Sequence, residues 1–575
     1  MVINILLPKY WNMGLIVTLA IVLLHSEGLL HNILFLVGAS SPEEIDESVI
    51  ERYEAIAEHP LEINLSGREK LSRSGLLTRY QAASILDYRS RCGDILSLEE
   101  LSMVDGFSED YAKALSPFVS FSSRSAPGSL RDSLRIKGSI EGKASIKSGG
   151  RYSYGVKSKL SRGENFEAGI AARRSYEGEW KGSGNLTMSG RKWLGKAIIG
   201  DFNARFGQGA AQWSGFYMTS ISALSSLVRR PTGISPVTSY SGDGTHRGVA
   251  AVFEGGRYSV STFFSLEGLK EKMEGANMRI TPYGGVDITY YGKKGECGIS
   301  GLSKGVISTN GRWSSKGVDY YSELSYSFKG SSAAGIGGFS TRMGKYLKGG
   351  LRLRAFPSSY TGKKNGEYSS ALSLEFSSGK YVPIKGRTGF GSSEISNTAS
   401  VSVEASLLPI PSIDPERRMI KTVIIWKTRI SPSFSIAFRG VDSRRTYDPK
   451  KRTDIRSDMM YSNGSISCCL RLNTVYTGIF SFLSYIEGGY VKDRFRVYGR
   501  AALFKADSWE GRLYCYERDA PGNFSVPAYY GTGYALSLFV GGPVGKGRLY
   551  LRLYGSNTKE KPGKAELKVQ YVRSF

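Results

Sequence analysis

The chain closes on Ala565-Glu566-Leu567-Lys568-Val569-Gln570-Tyr571-Val572-Arg573-Ser574-Phe575. In an extended strand Leu567, Val569, Tyr571 and Phe575 share one side, and Glu566, Lys568, Gln570 and Ser574 share the other. A period of two with apolar and polar sides so divided is the mark of a strand that separates two environments. The one departure is Arg573, a charge on the apolar side.

Working back along the chain, the pattern recurs. Leu134, Ile136, Ile140, Ala144 and Ile146 face one way, and Arg135, Lys137, Glu141, Lys143 and Lys147 face the other. That stretch has the length of a tilted membrane strand. Further alternating runs lie at 166–172, 249–253, 258–266, 286–291, 320–328, 351–356, 370–376, 400–405, 433–438, 495–504, 534–540 and 548–554. Glycine, serine, aspartate, asparagine and lysine fill the intervals, as turns and exposed loops require. At roughly 20–25 residues per strand with its connection, residues 134–575 predict a large antiparallel transmembrane β-barrel of roughly 18–22 strands. A propeller would show a repeat of about 40–50 residues, which the chain lacks.

Composition agrees. Glycine accounts for 70 residues and tyrosine for 35, the mixture expected where aromatic girdles and tightly curved strands coexist. A mean hydropathy of -0.23 excludes a polytopic helical membrane protein. It does not exclude a barrel, whose strands turn every second residue away from lipid. The cysteines, Cys92, Cys297, Cys468, Cys469 and Cys515, have no metal-ligand spacing and read as scattered thiols or at most one bridge.

Residues 1–41 carry Lys9 and two apolar stretches, 14–24 and 29–37, followed by Val37-Gly38-Ala39, the small-residue pattern of a signal-peptidase site. They are expected to direct export; an uncleaved anchor would hold Glu27 near its centre at considerable cost. In an exported chain the terminal strand resembles the insertion signal of bacterial outer-membrane β-barrels, with Tyr571 and Phe575 as the residues read. That resemblance implies the bacterial cell outer membrane, handling by the barrel-assembly machinery, and contact with outer-membrane lipid and lipopolysaccharide.

Residues 42–121 read as all-helical. Ser41-Pro42-Glu43-Glu44 opens a helix over 42–60 with the stripe Ile45, Val49, Tyr53 and Ile56. Ser66 with Glu69, Thr78 with Gln81, and Ser97 with Glu100 have capping-box spacing, and Ser108 caps a last helix. Ile63-Asn64-Leu65, Ser74-Gly75-Leu76-Leu77 and Ala82–Arg89 are echoed by Ile95-Leu96, Asp105-Gly106-Phe107-Ser108 and Ala112–Leu115. Residues 61–121 thus resemble the tandem helix-hairpin-helix domain of the competence-type DNA-binding proteins. The resemblance implies hairpin contacts to nucleic acid at Gly75, Leu76, Thr78, Arg79, Gly106, Phe107 and Ser108, through backbone N–H groups and helix N-termini. Leu77 and Ser108 stand where the family has its second glycine, and residues 61–121 hold 7 basic against 9 acidic residues. Both features oppose a phosphate-binding role.

Net charge is +26, unevenly spread: residues 42–121 hold 8 basic and 16 acidic residues, and residues 122–575 hold 68 and 34. The barrel is therefore basic, which fits a polar lumen that meets an anionic solute, a nucleic acid strand or lipid headgroups. A linker, 122–133, rich in Ser, Arg, Pro and Gly, joins the two parts. Gly200-Asp201-Phe202-Asn203-Ala204-Arg205-Phe206-Gly207-Gln208-Gly209 and Tyr516-Glu517-Arg518-Asp519-Ala520-Pro521-Gly522-Asn523-Phe524 resemble stretches of a Bacteroidetes-type outer-membrane family that joins a helix-hairpin-helix module to a barrel. Gly207 and Gly209 suit a bulge or tight bend, and Arg205 and Gln208 read as lumen-facing polar groups.

No catalytic, cofactor-binding or metal-binding residue is assigned. His246 is the one histidine of the barrel region, and a trio with Asp243 and some serine has no spacing to recommend it. Two readings stand: a non-enzymatic pore or transport component with a periplasmic docking or plug domain that meets a periplasmic partner, and a competence-like receptor whose helical module grips DNA.

Overall fold

The computed structural model describes residues 25–39, 45, 47–58, 60–122 and 136–575, except 164, 192, 216–222, 241–243, 269–278, 387–388, 411–413, 432, 464, 493–494, 524 and 560. The capping box at 41–44 and residues 123–133 of the linker lie outside these residues.

The N-terminal domain holds six described helices: α1 (His25–Val37), α2 (Glu47–Glu58), α3 (Arg68–Arg73), α4 (Arg79–Cys92), α5 (Leu98–Ser102) and α6 (Glu109–Leu115). It is not all-helical as expected, because Leu61–Glu62 pairs in parallel with Val119–Ser120. Thr78 and Gln81 form the full reciprocal box before α4, and Ser97 and Ser108 accept from Glu100 and Tyr111 backbone N–H groups. Each oxygen satisfies a donor that the first helical turn leaves open. The expected box at Ser66 does not form. The cap of α3 is Gly67, without a side-chain bond, and the Ser66 hydroxyl is buried with no partner. Asn64 ties the two halves together: its amide donates to the Ile95 carbonyl at 2.7 Å and its oxygen accepts from the Ile95 N–H at 2.8 Å. One core, including Ile63, Leu71, Ile85, Ile95, Leu101, Leu115 and Phe118, serves the whole domain. Helix α1, inside the expected export segment, buries Ile33 and Leu36 against that core.

Tyr53 lies in the same core, edge-on to Phe118 with ring centroids 5.5 Å apart. Burial pushes its phenol up to about 12. A raised phenol leaves stability intact below the ordinary tyrosine value and removes it as pH climbs from 10 to about 12, by about 2–3 kcal/mol at most. Tyr53→Phe keeps the ring and abolishes this titration. The helical domain of that variant is expected to outlast the wild type under limited proteolysis at about pH 11.

From Ile136 onward every long element is a strand, and twenty-four of them close a cylinder. The last strand, Lys561–Ser574, pairs antiparallel with the first, Ile136–Lys147, and Phe575 extends the seam by exchanging backbone bonds of 2.9 and 2.8 Å with Gly138. A short additional strand, Gly233–Pro236, pairs with the end of Leu194–Arg205 inside the cylinder. The strand number exceeds the expected 18–22 because the connections at one end are very short; Gly256 and Arg257 alone join His246–Gly255 to Tyr258–Glu267. That turn end is also where the chain enters and leaves. The opposite loop end carries the long connections 206–245 and 507–530.

Burial is inverted relative to a water-soluble sheet. Along Phe495–Ala506, Leu503 is 62% exposed while Arg500, on the other face, is 7% exposed. Ile140, Ile170, Ile299, Leu324, Leu353 and Leu536 are likewise exposed. Such an apolar belt is stable in hydrocarbon and costly in water. Aromatic residues rim it at both ends: Trp193, Tyr258, Trp313, Tyr320 and Phe575 at the turn end, and Tyr152, Trp180, Phe328 and Phe480 at the loop end. This is the double girdle of a membrane barrel. Arg573 falls beside Phe575 on the same outward face, at the rim where a guanidinium reaches headgroups and water. The cysteines form no disulfide; Cys468 faces outward and Cys469 inward beside the Tyr485 hydroxyl.

Candidate functional site

A wide barrel with a polar inner wall must fill or hydrate its lumen. Here three segments of the chain fold into it. From the turn end comes the helical domain. The N-terminus of α4 brings Arg79 to the inner face of the barrel wall, where its guanidinium donates to Ser261 Oγ at 2.5 Å and pairs with Asp287 Oδ2 at 3.4 Å. Thr289 and Ser300 hydroxyls donate to the same carboxylate at 3.1 and 2.8 Å. Both charges are buried, so each is the condition for the other's presence there. Gly233 lies so close to the guanidinium that any β-carbon would overlap it. Around this anchor, Arg68 donates to the Gly256 carbonyl at 3.3 Å, Tyr80 donates to the Lys293 carbonyl at 3.1 Å, and Lys348 pairs with Asp110.

From the loop end, residues 206–215 and 223–240 run inside the wall. Gly207 and Gly209 adopt φ of 52° and 81°, which turns successive N–H groups toward one point. At that point sits the carboxylate of Glu323, accepting from the N–H groups of Gln208 at 2.5 Å, Ala210 at 3.1 Å and Ala211 at 3.0 Å. The two glycines therefore form an anion nest around a wall carboxylate, not a strand bulge. Asp201 holds Arg247 in a fork with both bonds at 2.9 Å. Farther along, Leu227 reaches Gly350 near the turn end, and Arg230 lies over the Tyr111 ring of α6 at 3.8 Å and donates to the Leu36 carbonyl. The loop thus meets the helical domain inside the barrel.

Residues 507–523 and 525–530 form the third segment. Glu517 accepts from Arg552 and from the Tyr529 hydroxyl, Arg518 pairs with Glu487 at 2.7 Å, and Lys568 reaches Asp519 at 2.7 Å. Gln570 donates to the Pro521 carbonyl at 2.7 Å, and the Gly522 N–H donates to Glu54 of α2 at 3.2 Å. Above this loop, toward the loop end, lies a cavity of about 540 Å³. A second cavity of about 440 Å³ is bordered by Gln212, His246, Arg247, Tyr283 and Lys304. Elsewhere the inner wall carries its own pairs, such as Arg352 with Glu404 and Arg354 with Glu367, both at 2.9 Å. Along Arg418–Ser431, Phe434–Arg445 and Lys451–Asn463 most inward side chains are only half-buried, Lys421, Arg439 and Arg456 among them. This is a basic, partly covered side of the lumen.

The residues expected to touch nucleic acid are placed as follows. Leu76, Thr78 and Arg79 are buried, Thr78 as the α4 cap and Arg79 against the barrel wall. Gly75 packs on Arg52, and Gly106 packs on the Tyr80 ring. Phe107 is half-buried beside Tyr111, and Ser108 caps α6 while exposed. Gln208 is buried in the in-folded loop, exchanging bonds with the Arg229 backbone. Arg205 lies on the Trp213 ring and donates to the Ser214 carbonyl at 3.0 Å, so it stabilises the loop's base. His246 is packed among Phe202, Phe263 and Tyr283 with Gln212 at 2.7 Å, and Asp243 lies outside the described residues. Tyr571 and Phe575 face outward.

Sequence reasoning missed Asp287, Glu323, Glu517 and Asp519. Asp287 and Glu323 carry a signal in hindsight, since each is an acidic residue on the polar side of an alternating strand. What they bind lies 208 and about 113 residues away along the chain, beyond any local pattern.

No family model matches the chain, and no curated protein matches it. Among solved structures it is similar to the P pilus tip assembly intermediate PapC-PapD-PapK-PapG of E. coli, with 8% identity, 80% of this chain and 63% of that chain covered, and a TM-score of 0.48. The chain thus spans less than two thirds of that structure's length. It is also similar to OpdQ of Pseudomonas aeruginosa, with 8% identity, coverage of 77% and 99%, and a TM-score of 0.26. For the siderophore receptor PirA of Pseudomonas aeruginosa the identity is 10%, the coverage 77% and 80%, and the TM-score 0.35.

Proposed function

We propose that the chain is a non-enzymatic outer-membrane barrel acting as a pore or transport component, with the helical domain seated in its periplasmic mouth as a plug. The observation that carries this reading is Arg79, delivered by the helical domain to a buried carboxylate on the inner wall. The short turns at that end and the long loops at the other fit the usual periplasmic and extracellular ends of such barrels. Charge fits as well, because an acidic domain enters a basic cylinder. In this reading the helix-hairpin-helix-like arrangement serves as a packing module, and its exposed acidic edge, with Asp105 and Glu109, is the side left for a periplasmic partner.

Planar-bilayer recordings test the plug. The intact chain is expected to stay closed or to flicker briefly, and a chain lacking residues 42–121 is expected to conduct steadily with anion preference. Equal conductance from both would remove the plug. The competing DNA reading requires the first hairpin to leave the barrel, since Thr78 and Arg79 are buried there. Retention of duplex DNA by the full chain at low salt, lost steeply as salt rises, would favour that reading.

A further inference from the structure

The cavity above the third in-folded segment is enclosed by an excess of cations. Lys143, Lys147, Arg151, Arg173, Arg552, Lys564 and Lys568 border it, against Asp519 and Glu566 as the acidic groups. Elsewhere on the wall buried arginines meet carboxylates one to one, as in Arg352 with Glu404 and Arg354 with Glu367. Here the two carboxylates are already engaged: Asp519 by Lys568 and Arg552, and Glu566 by Arg552, Lys568 and Lys147. Neutral oxygens are among the groups that hold other cations of the cavity. Lys143 donates to Asn523 Oδ1 at 3.0 Å, and Arg173 donates to Ser153 Oγ at 3.2 Å. The bond to Ser153 orients the Arg173 guanidinium through a neutral oxygen.

Position and shape complete the case. Arg151 and Lys564 are exposed at the loop end, so the cavity opens toward the side from which an external solute arrives. Its volume, about 540 Å³, is that of a small-molecule site. Tyr176, Tyr530, Tyr550 and Tyr554 contribute aromatic surface among the cations. Guanidinium and ammonium groups converging on one space, with aromatic faces beside them, recognise phosphate-type oxygens on a compact organic body. A strand of nucleic acid is too large for this space, and lipid headgroups lie outside the wall.

We propose that this cavity is a binding site for a small organic solute carrying two or more phosphate groups. The site deepens the transport reading by naming the class of solute, yet binding is measurable without any flux. A failed plug experiment therefore leaves it standing, and a failed binding experiment leaves the plug standing.

The test is calorimetric titration of the full chain in detergent micelles with pyrophosphate, a hexose bisphosphate and a nucleoside triphosphate, using glucose as the neutral control. Saturable binding of the phosphate compounds, absent for glucose and weakening with salt, is the expected result. Tighter binding of the nucleoside triphosphate means that the tyrosines hold a base; equal binding of all three means that the phosphates alone are read, and either supports the site. Arg173→Gln and Lys564→Gln each remove one cation, and each is expected to weaken binding about tenfold while heat-modifiable gel mobility stays intact. Absence of saturable binding by all three probes at low salt would overturn the proposal, as would affinity unchanged in Arg173→Gln with Lys564→Gln combined.

Discussion

Arg79→Met is expected to release the helical domain from the barrel. The variant strands Asp287 in a buried site, supported only by the Thr289 and Ser300 hydroxyls. Removing one partner of a buried pair costs about 3–5 kcal/mol. Other docking contacts, among them Arg68 to Gly256, Tyr80 to Lys293, Lys348 to Asp110 and Gly522 to Glu54, lie at partly buried or exposed positions. They are worth less individually, so loss of the anchor is expected to shift the docked population strongly. Faster protease cleavage within α2–α6 and long conducting openings in bilayers are the readouts. Combining Arg79→Met with Asp287→Leu removes both charges and is expected to restore much of the closure, because a well-packed apolar pair replaces a buried ion pair at little cost. A single variant as closed as the wild type would mean that docking rests elsewhere.

Glu323→Ala is the second large effect. Three backbone N–H groups, of Gln208, Ala210 and Ala211, lose one acceptor together inside the protein. At about 1–3 kcal/mol for each buried donor left unmet, the loss amounts to several kcal/mol, concentrated on one loop. Gly207 and Gly209 would then aim their neighbours' N–H groups at no acceptor, and residues 206–215 are expected to open. Hydrogen exchange at the three amides is expected to accelerate by orders of magnitude, while exchange in distant strands such as Phe495–Ala506 is unchanged. Glu323→Gln keeps one acceptor oxygen and is expected to fall between. Unaltered protection in Glu323→Ala would show that the nest is not what fixes the loop.

These two residues also mark the limit of what the sequence disclosed. Alternation alone placed the strands, because lipid on one side and a polar lumen on the other impose a period of two that no loop shares. It under-counted them in stretches such as Ser332–Arg342 and Gly295–Leu302, where glycine and serine crowd the strand and blur the two faces. It also under-counted because a two-residue turn leaves little polar punctuation between strands. Capping chemistry placed α4, α5 and α6, since a box is written within four residues, and misplaced the start of α3, where Gly67 takes the cap. The two motif stretches were visible as motifs, but their partners were not. Gly207 and Gly209 make sense only beside Glu323, and Glu517 and Asp519 only beside Arg552 and Lys568. Arg79 stood out as a hairpin arginine, and only the fold shows that it addresses a carboxylate on the barrel. Arg573, which interrupts the apolar side of the closing strand, is accounted for by depth: it sits at the rim, not at mid-membrane.

An apolar belt encircles a polar interior occupied by the chain itself, which requires lipid around the outside. Fractionation of cells producing the chain, with each fraction run on gels before and after boiling, tests it most directly. The chain is expected in the outer-membrane fraction, migrating faster unboiled than boiled. Recovery in the soluble or inner-membrane fraction with no shift on boiling would contradict the account.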